Sequence, residues 1–319
     1  MTRAARVPAY AKINLGLRVL YQRPDGFHEI RTVFQTISLA DRLDLSCTLG
    51  RVTSVSVEGT PDIADNIAAR AAHGVLEALG LRARVRIGLR KRIPTGAGLG
   101  GGSSDAAAVL LALPVLAGRN LRPDVVAQLA LRLGSDVPFF LYGGRAVGLG
   151  RGEELYPLPE GSAVRGLLVA PAIHSSTAEA YRDLSAELTL IQLQNKLNSF
   201  RSDIWQSGKI GAANDFESVV CARHPRIGQI RDRLRRLGAN PAALTGSGSA
   251  VFGVFNDPER LLRAQTAFPQ AAFPDDKIFA FSFLTRNQYR ARWRRALAVH
   301  ARPNRDGVPV WPLLSRYAG

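Results

Sequence analysis

An α+β fold of two domains is what this sequence predicts, on three observations. Helical and strand-like segments interleave in an order that suits two packed layers. The 319 residues, 46% of them hydrophobic, are enough to build two cores. A short proline-marked stretch, YPLPEG from Tyr156 to Gly161, separates the halves and marks a domain boundary.

The chain opens on paired strands. Ile13, Leu15, Leu17 and Val19 alternate with Lys12, Asn14, Gly16 and Arg18, the period of a half-buried strand, so Lys12 and Asn14 share one face. The turn QRPDGFHEI, with Pro24, Asp25 and Gly26, leads into a second alternating run from Ile30 to Leu39. Together they predict a hairpin with Phe27 and His28 at its mouth. DNIAARAAHGVLEALG reads as a helix capped by Asp65 or Asn66 with Gly80 just past its end, and RARVRIGLR as a strand laced with solvent-facing arginines.

The stretch from Pro94 to Ala107, PTGAGLGGGSSDAA, places five glycines and two serines directly ahead of an Ala/Leu-rich helical run. Such a loop can approach a polyphosphate closely, and the free N–H groups of the helix start carry the positive end of the helix dipole toward it. Ser103 and Ser104 are expected to cap that helix and to offer hydroxyls to phosphate oxygen or Mg²⁺. The pattern GxxxxGK[ST] is absent, which excludes an ordinary P-loop. Gly96, Gly98 and Gly101 satisfy the dinucleotide pattern GxGxxG, but about 20 residues on only Asp124 offers the acidic partner that pattern calls for.

Three further segments carry chemistry. GSDVPFFLYGG, from Gly134 to Gly144, sets Asp136 in a turn between a Leu-rich helix and an apolar strand, a costly place for a carboxylate unless it is paired or working. AANDFES gathers Asn214, Asp215 and Glu217. HPRIGQIRDRLRRLG predicts a helix ending at Gly238, and LTGSGSAVFG, from Leu244 to Gly253, a second glycine/serine turn suited to closing over a phosphate or an adjoining loop. Taken singly, each has an ordinary structural use: Asp136 as a cap, Asn214 as an Asx turn, Gly246 and Gly248 as hairpin geometry.

Composition narrows the function classes. The N-terminus, MTRAARVPAY, has no apolar core of a signal peptide and no apolar run approaches membrane-spanning length, so a soluble cytoplasmic protein is expected. Cys47 and Cys221, far apart and outside any metal-ligand spacing, predict buried thiols rather than a disulfide framework or a zinc site. The net charge of +16 suits substrates that carry phosphates and equally admits a nucleic-acid partner. From Arg286 onward eight arginines stand against the single acid Asp306. There Tyr289, Trp293 and Leu297 recur every four residues, predicting a short helix that lays an aromatic stripe on the body. Trp311 adds a further aromatic to this tail.

In this order, AKINLGL, PDGFHEIRTVFQ, PTGAGLGGGSSDAA, GSDVPFF, NDFE and TGSGSAVF resemble the GHMP kinases, the superfamily of galactokinase, homoserine kinase and mevalonate kinase. The closest resemblance is to the family of 4-diphosphocytidyl-2-C-methyl-D-erythritol kinases, from about Ala9 to about Phe283. It implies an α+β, two-domain GHMP kinase-like fold. A ribosomal-protein-S5-like ATP-binding domain would occupy residues 1–157, a ferredoxin-like αβ domain 158–285, and a basic extension 286–319. The implied activity is ATP-dependent phosphorylation of the 2-hydroxyl of 4-diphosphocytidyl-2-C-methyl-D-erythritol, on the methylerythritol phosphate route to isoprenoid precursors, with ATP and Mg²⁺ as cofactors. Another small-molecule GHMP kinase, or a nucleic-acid-binding protein on a kinase-like fold, is the alternative.

The same resemblance assigns residues. Lys12 and Asp136 fall on the catalytic lysine and aspartate, Asp136 accepting the hydroxyl proton while Lys12 holds it ionised and offsets charge on phosphate. Asn66 falls on the adenine contact. Pro94, Gly96, Gly98, Leu99, Gly100, Gly101, Gly102, Ser103 and Ser104 fall on the nucleotide segment, with Ser104 the Mg²⁺ contact. Phe27 and His28 fall on the cytosine-recognising pair, with Phe34 and Tyr181 as further aromatic surfaces and Asn14 and Asp136 beside the same substrate. Phe27 stands where the family has tyrosine, which keeps the stacking face and removes a hydroxyl. The expected partners are these small molecules alone, with no membrane, nucleic acid as the lesser expectation, and a monomer or weak dimer as the assembly.

Overall fold

A computed structural model of the chain describes residues 1–59, 66–160, 164–185, 190–205, 212–268 and 275–301. Asp65 and Trp311 lie outside these residues. The first half contains β1 (Thr2–Gln22), β2 (His28–Leu49), β3 (Ser54–Glu58), α1 (Ile67–Ala78), β4 (Ala83–Arg90), α2 (Gly101–Ala117), α3 (Pro123–Leu133), α4 (Val137–Tyr142), β5 (Arg145–Leu149) and β6 (Glu154–Pro157). The second contains β7 (Arg165–Ala170), α5 (Thr177–Ser185), α6 (Leu190–Trp205), α7 (Phe216–Arg223), α8 (Pro225–Arg236), β8 (Ala242–Leu244), β9 (Val251–Phe255), α9 (Pro258–Ala267), β10 (Lys277–Ser282) and α10 (Arg286–Leu297).

The first ten elements form a sheet of order β3-β4-β2-β5-β6, with β1 paired antiparallel to β2 and β3 parallel to β4. Its arginine-laced strand β4 behaves as its sequence predicts: Val85, Ile87 and Leu89 point into the core while Arg84, Arg86 and Arg90 face solvent. Against the inner face lies α2, buried along its length from Ser104 to Ala117 because its Ala/Leu composition is apolar on every side. The second sheet has the order β10-β7-β9-β8, all antiparallel, with helices packed on one face, which is the ferredoxin-like topology. Among the described residues no helix is long and apolar enough to cross a membrane.

β1 departs from its expected half-burial. The residues alternating with Lys12 and Asn14 do form an apolar face, with Ala11, Ile13 and Leu15 packed on Leu168, Phe252 and Phe281 of the second sheet. Lys12 and Asn14 on the opposite face are buried too, at 4% and 2% exposure. A strand with one wet face was expected; instead β1 is covered on one side by the second sheet and on the other by the glycine loop ahead of α2.

Three local expectations are corrected. VPFFLY forms helix α4 rather than a strand, so Asp136 stands immediately before a helix. Neither Ser103 nor Ser104 caps α2: the left-handed Gly100 occupies the N-cap position and both serines lie within the first turn of the helix. Cys47 is buried as expected, whereas Cys221 is only half-buried.

Of the basic C-terminal segment the described part, residues 286–301, docks. Thr285 opens α10 with a reciprocal capping box, its hydroxyl accepting from Gln288 N while the Gln288 side chain accepts from Thr285 N. Tyr289, Trp293 and Leu297 are each 1% exposed or less and join the core of the first sheet. The Tyr289 hydroxyl donates to the Phe140 carbonyl at 2.5 Å, and its ring lies flat against Gly143, where a side chain would collide with it. Truncating the largest of these side chains leaves a cavity that the surrounding helices cannot collapse into. Trp293→Ala is therefore expected to cost about 3–5 kcal/mol, read as a fall in the urea midpoint. A variant as stable as the parent would mean that α10 contributes nothing to the fold.

Candidate functional site

A cleft of about 970 Å³ opens where the hairpin mouth, the glycine loop, α4 and α5 converge. Lys12 sits at its floor. The Lys12 N–H donates to Leu99 O at 3.1 Å, which pins β1 to the glycine loop. Its ammonium donates to Asn14 Oδ1 at 2.7 Å and stands 3.5 Å from Asp136 Oδ2. The Lys12 ammonium also lies 5.4 Å from the centre of the Phe34 ring. Asn14 is oriented in turn by donating from Nδ2 to the Thr32 hydroxyl at 2.7 Å. Lys12, Asn14 and Asp136 thus meet at one end of the cleft, with the Asp136 side chain 32% exposed toward it.

Above them runs the glycine loop. Gly98 adopts φ +76°, and a Cβ on it would overlap the Thr245 carbonyl, so only glycine permits this approach. Gly100, at φ +68°, fits between Phe140 and the Lys12 stem in the same way. Ser104 N donates to Gly100 O, so the N–H groups ahead of it open α2 without an intrahelical acceptor, the donor set that an anionic polyphosphate requires. Gly96, Gly98 and Gly100 line the cleft. Pro94 and Leu99 are buried and contribute backbone only, and Ser104 is 2% exposed within α2. Asn66 is not brought into the cleft: it caps α1, accepting from Ala68 N at 2.9 Å, and Ile67 beside it lies 3.7 Å from a Cβ placed on Gly102. Among the described residues no three His, Cys, Asp or Glu side chains gather as a metal site.

The other end of the cleft is aromatic. Phe27 is half exposed on the turn between β1 and β2, where its N–H donates to Asp25 Oδ1 at 3.1 Å. His28 and Tyr181 stack with ring centres 4.5 Å apart, and Tyr181 meets Phe216 edge-on at 4.8 Å. Burial holds the His28 imidazole below its ordinary pKa. Burial first, and then the charge of Asp136, push the Tyr181 phenol up to about 12. The glycine/serine turn after β8 closes the remaining side, with Gly246 and Ser247 on the cleft wall.

The NDFE segment serves as scaffold. Asn214 donates from Nδ2 to the carbonyls of Leu244 and Gly246 at 2.9 and 2.8 Å and accepts from Phe216 N. Asp215 accepts from Val19 N at 3.0 Å and pairs with Arg18 and Lys196. Glu217 accepts from Leu244 N at 2.9 Å. These three residues fix the second turn and the end of β1.

The families described as GHMP kinases N terminal domain and GHMP kinases C terminal match residues 66–144 and 196–275. A 4-diphosphocytidyl-2-C-methyl-D-erythritol kinase of Solibacter usitatus is 52% identical over 99% of this chain and 98% of its own length. One of the same description from Moorella thermoacetica is 41% identical over 84% of this chain and 96% of its own. Among solved structures, a 4-(cytidine 5'-diphospho)-2C-methyl-D-erythritol kinase superposes with a TM-score of 0.70 at 36% identity, covering 89% of this chain and 99% of that one. Homoserine kinase from Cytophaga hutchinsonii gives the same TM-score at 18% identity over 88% and 95%, a likeness of fold.

One cluster escaped the sequence reading. Lys91, at the end of β4, pairs with both Asp41 of β2 and Asp105 of α2, the latter at 2.7 Å. Asp41 Oδ1 also accepts from the N–H groups of Arg92 and Ile93 at 2.5 and 2.8 Å. Together these contacts hold both ends of the glycine loop. Burial pushes the Asp105 carboxyl up to about 7, with Lys91 pulling it down and Asp41 adding to the rise. Removing the cation would strand two buried carboxylates, so Lys91→Met is expected to cost about 2–3 kcal/mol in chemical denaturation. Adding Asp105→Asn should recover part of that loss; equal stability of parent and single variant would show that the cluster does not hold the loop.

Proposed function

The chain belongs to the 4-diphosphocytidyl-2-C-methyl-D-erythritol kinases within the GHMP kinases. From that membership we propose that this cleft transfers the γ-phosphoryl group of ATP to the 2-hydroxyl of 4-diphosphocytidyl-2-C-methyl-D-erythritol. The observation that carries the reading is the Lys12–Asp136 pair, 3.5 Å apart at the meeting point of a glycine loop and an aromatic mouth. A phosphoryl donor and a base-bearing acceptor entering from opposite ends would meet there.

Phosphoryl transfer asks for positioning and charge neutralisation more than for covalent chemistry. Asp136 accepts the proton of the 2-hydroxyl as its oxygen bonds to the γ-phosphorus and the bond to ADP breaks. Lys12, held by Asn14 and Asp136, offsets the charge that develops on the transferred group. Asn14 contributes by fixing the lysine and by facing the acceptor. The loop from Pro94 through Ser104 holds the triphosphate through the backbone N–H groups that follow the proline, and the adenine lies outside this cleft, on the side where Asn66 caps α1. Mg²⁺ bound with ATP would neutralise phosphate charge, and Ser104, in the first turn of α2 and 2% exposed, would be the hydroxyl that holds it. Phe27, His28 and Tyr181 form the surface for the cytidine end, with Phe34 buried beside Lys12 as backing to the wall between the two ends, and the His28 imidazole, its pKa lowered by burial, can donate or accept toward a base edge.

ADP release with Mg·ATP and 4-diphosphocytidyl-2-C-methyl-D-erythritol tests the reading, with homoserine, galactose and mevalonate as competing acceptors. Turnover is expected with the cytidylyl acceptor alone, and Asp136→Ala is expected to lower kcat by about a thousandfold. Turnover on another acceptor would remove the cytidine assignment, and silence on all four would overturn the kinase reading of the cleft.

A further inference from the structure

The turn joining β5 to β6 carries an arginine that nothing above has used. Arg151 lines the cleft, its side chain 26% exposed, with the guanidinium 4.5 Å from the centre of the Phe27 ring. The turn is built to put it there. Ile30 N donates to Gly150 O at 2.7 Å, and Gly152, at φ +102°, lies so close to Phe34 that a Cβ would sit 3.3 Å from the ring. Arg151 N donates to Glu153 Oε2 at 2.6 Å, while Glu153 Oε1 stands 3.6 Å from Arg151 Nε. Among the described residues no hydrogen bond occupies the two terminal nitrogens.

Along this wall the order is set by contacts. Lys12 lies against Phe34, Phe34 against Gly152, and Arg151, the next residue, against Phe27. Arg151 therefore stands between the end where Lys12 and Asp136 meet and the aromatic end. An acceptor with its alcohol at the first and a cytosine at the second must run its diphosphate along this stretch. A planar guanidinium with two free –NH₂ groups matches phosphate oxygens in a fork geometry, and its stacking on an aromatic face fixes its plane before the ligand arrives.

We propose that Arg151 is a specificity-determining residue that binds the diphosphate of the acceptor, pre-oriented by stacking on Phe27. This rests on the cytidylyl reading of the cleft given above. Recognition then has two separable parts, an aromatic surface for the base and one guanidinium for the phosphates. The stack leaves the Phe27 face away from Arg151 for the base.

Calorimetric titration of the full chain with cytidine and with cytidine 5'-diphosphate, both without ATP, tests this. The wild type is expected to bind the diphosphate more tightly than the nucleoside. Arg151→Gln is expected to weaken the diphosphate by about tenfold and to leave cytidine within about twofold, with Arg151→Lys between. In turnover the same variant should raise KM for the cytidylyl substrate while KM for ATP holds. An equal loss for both ligands would make Arg151 a prop for Phe27 alone, and no loss for either would remove it from the site; both results overturn the proposal. Failure of the wild type to bind either ligand would instead overturn the cytidylyl reading, and the role of Arg151 with it.

Discussion

The cleft depends on one close approach, that of Gly98 to Thr245. The Thr245 carbonyl occupies the space where any other residue would carry its Cβ, and a Cβ on Gly246 would stand 3.2 Å from the Gly98 Cα. The Thr245 hydroxyl accepts from Asn14 N at 3.1 Å and reaches Gly98 O and Asn14 Oδ1 at 3.3 Å. Ala250 N donates to Ala97 O at 3.3 Å. Three segments far apart in the chain, β1, the glycine loop and the second turn, are thereby tied into one knot. Lys12 and Asn14 take their positions from it, and the floor of the cleft cannot shift relative to the glycine loop without breaking it.

Charge is distributed to serve the same arrangement. Buried carboxylates away from the cleft are each matched by a cation: Asp41 and Asp105 by Lys91, Asp215 by Arg18 and Lys196, Asp276 by Arg226. Such pairs are nearly neutral in the balance of stability, yet each would be costly to break. Within the cleft the balance differs, since Lys12, Arg151 and Arg182 face it against Asp136. A surplus of positive charge in a concave, partly apolar site concentrates anionic ligands there. The cleft thus holds a small share of the net charge of +16, and that share is of the sign that draws anions in.

Much of this was legible in the residues. The two-residue period around Lys12 and Asn14 placed both on one face, the glycine count marked a loop whose close approaches only glycine permits, and the four-residue spacing of Tyr289, Trp293 and Leu297 foretold a docked helix. What was missed depends on contacts distant in sequence. The second burial of β1 comes from a sheet that begins at Arg165. VPFFLY is too short to show a helical period, so α4 read as a strand. Gly100 displaced the serines as the cap because a left-handed residue was needed to bring the chain past Phe140. Lys91 meets Asp41 across 50 residues, and Arg151 is a lone arginine in a turn, so neither leaves any pattern to find.

The two ends of the cleft also form one electrostatic compartment. After burial, Asp136 contributes to the rise of the Tyr181 phenol, so its charge is felt at the aromatic end. Phe27 at 50% exposure and the Asp136 side chain at 32% are both open to the cleft. A ligand long enough to cover both removes water from the carboxylate in the same event that buries the ring. On the proposed reading, binding energy gained at the aromatic end is expressed at the reacting hydroxyl, because a ligand held by its ring is oriented before its small alcohol makes any contact of its own. That coupling gives the aromatic mouth a part in the rate as well as in the choice of substrate.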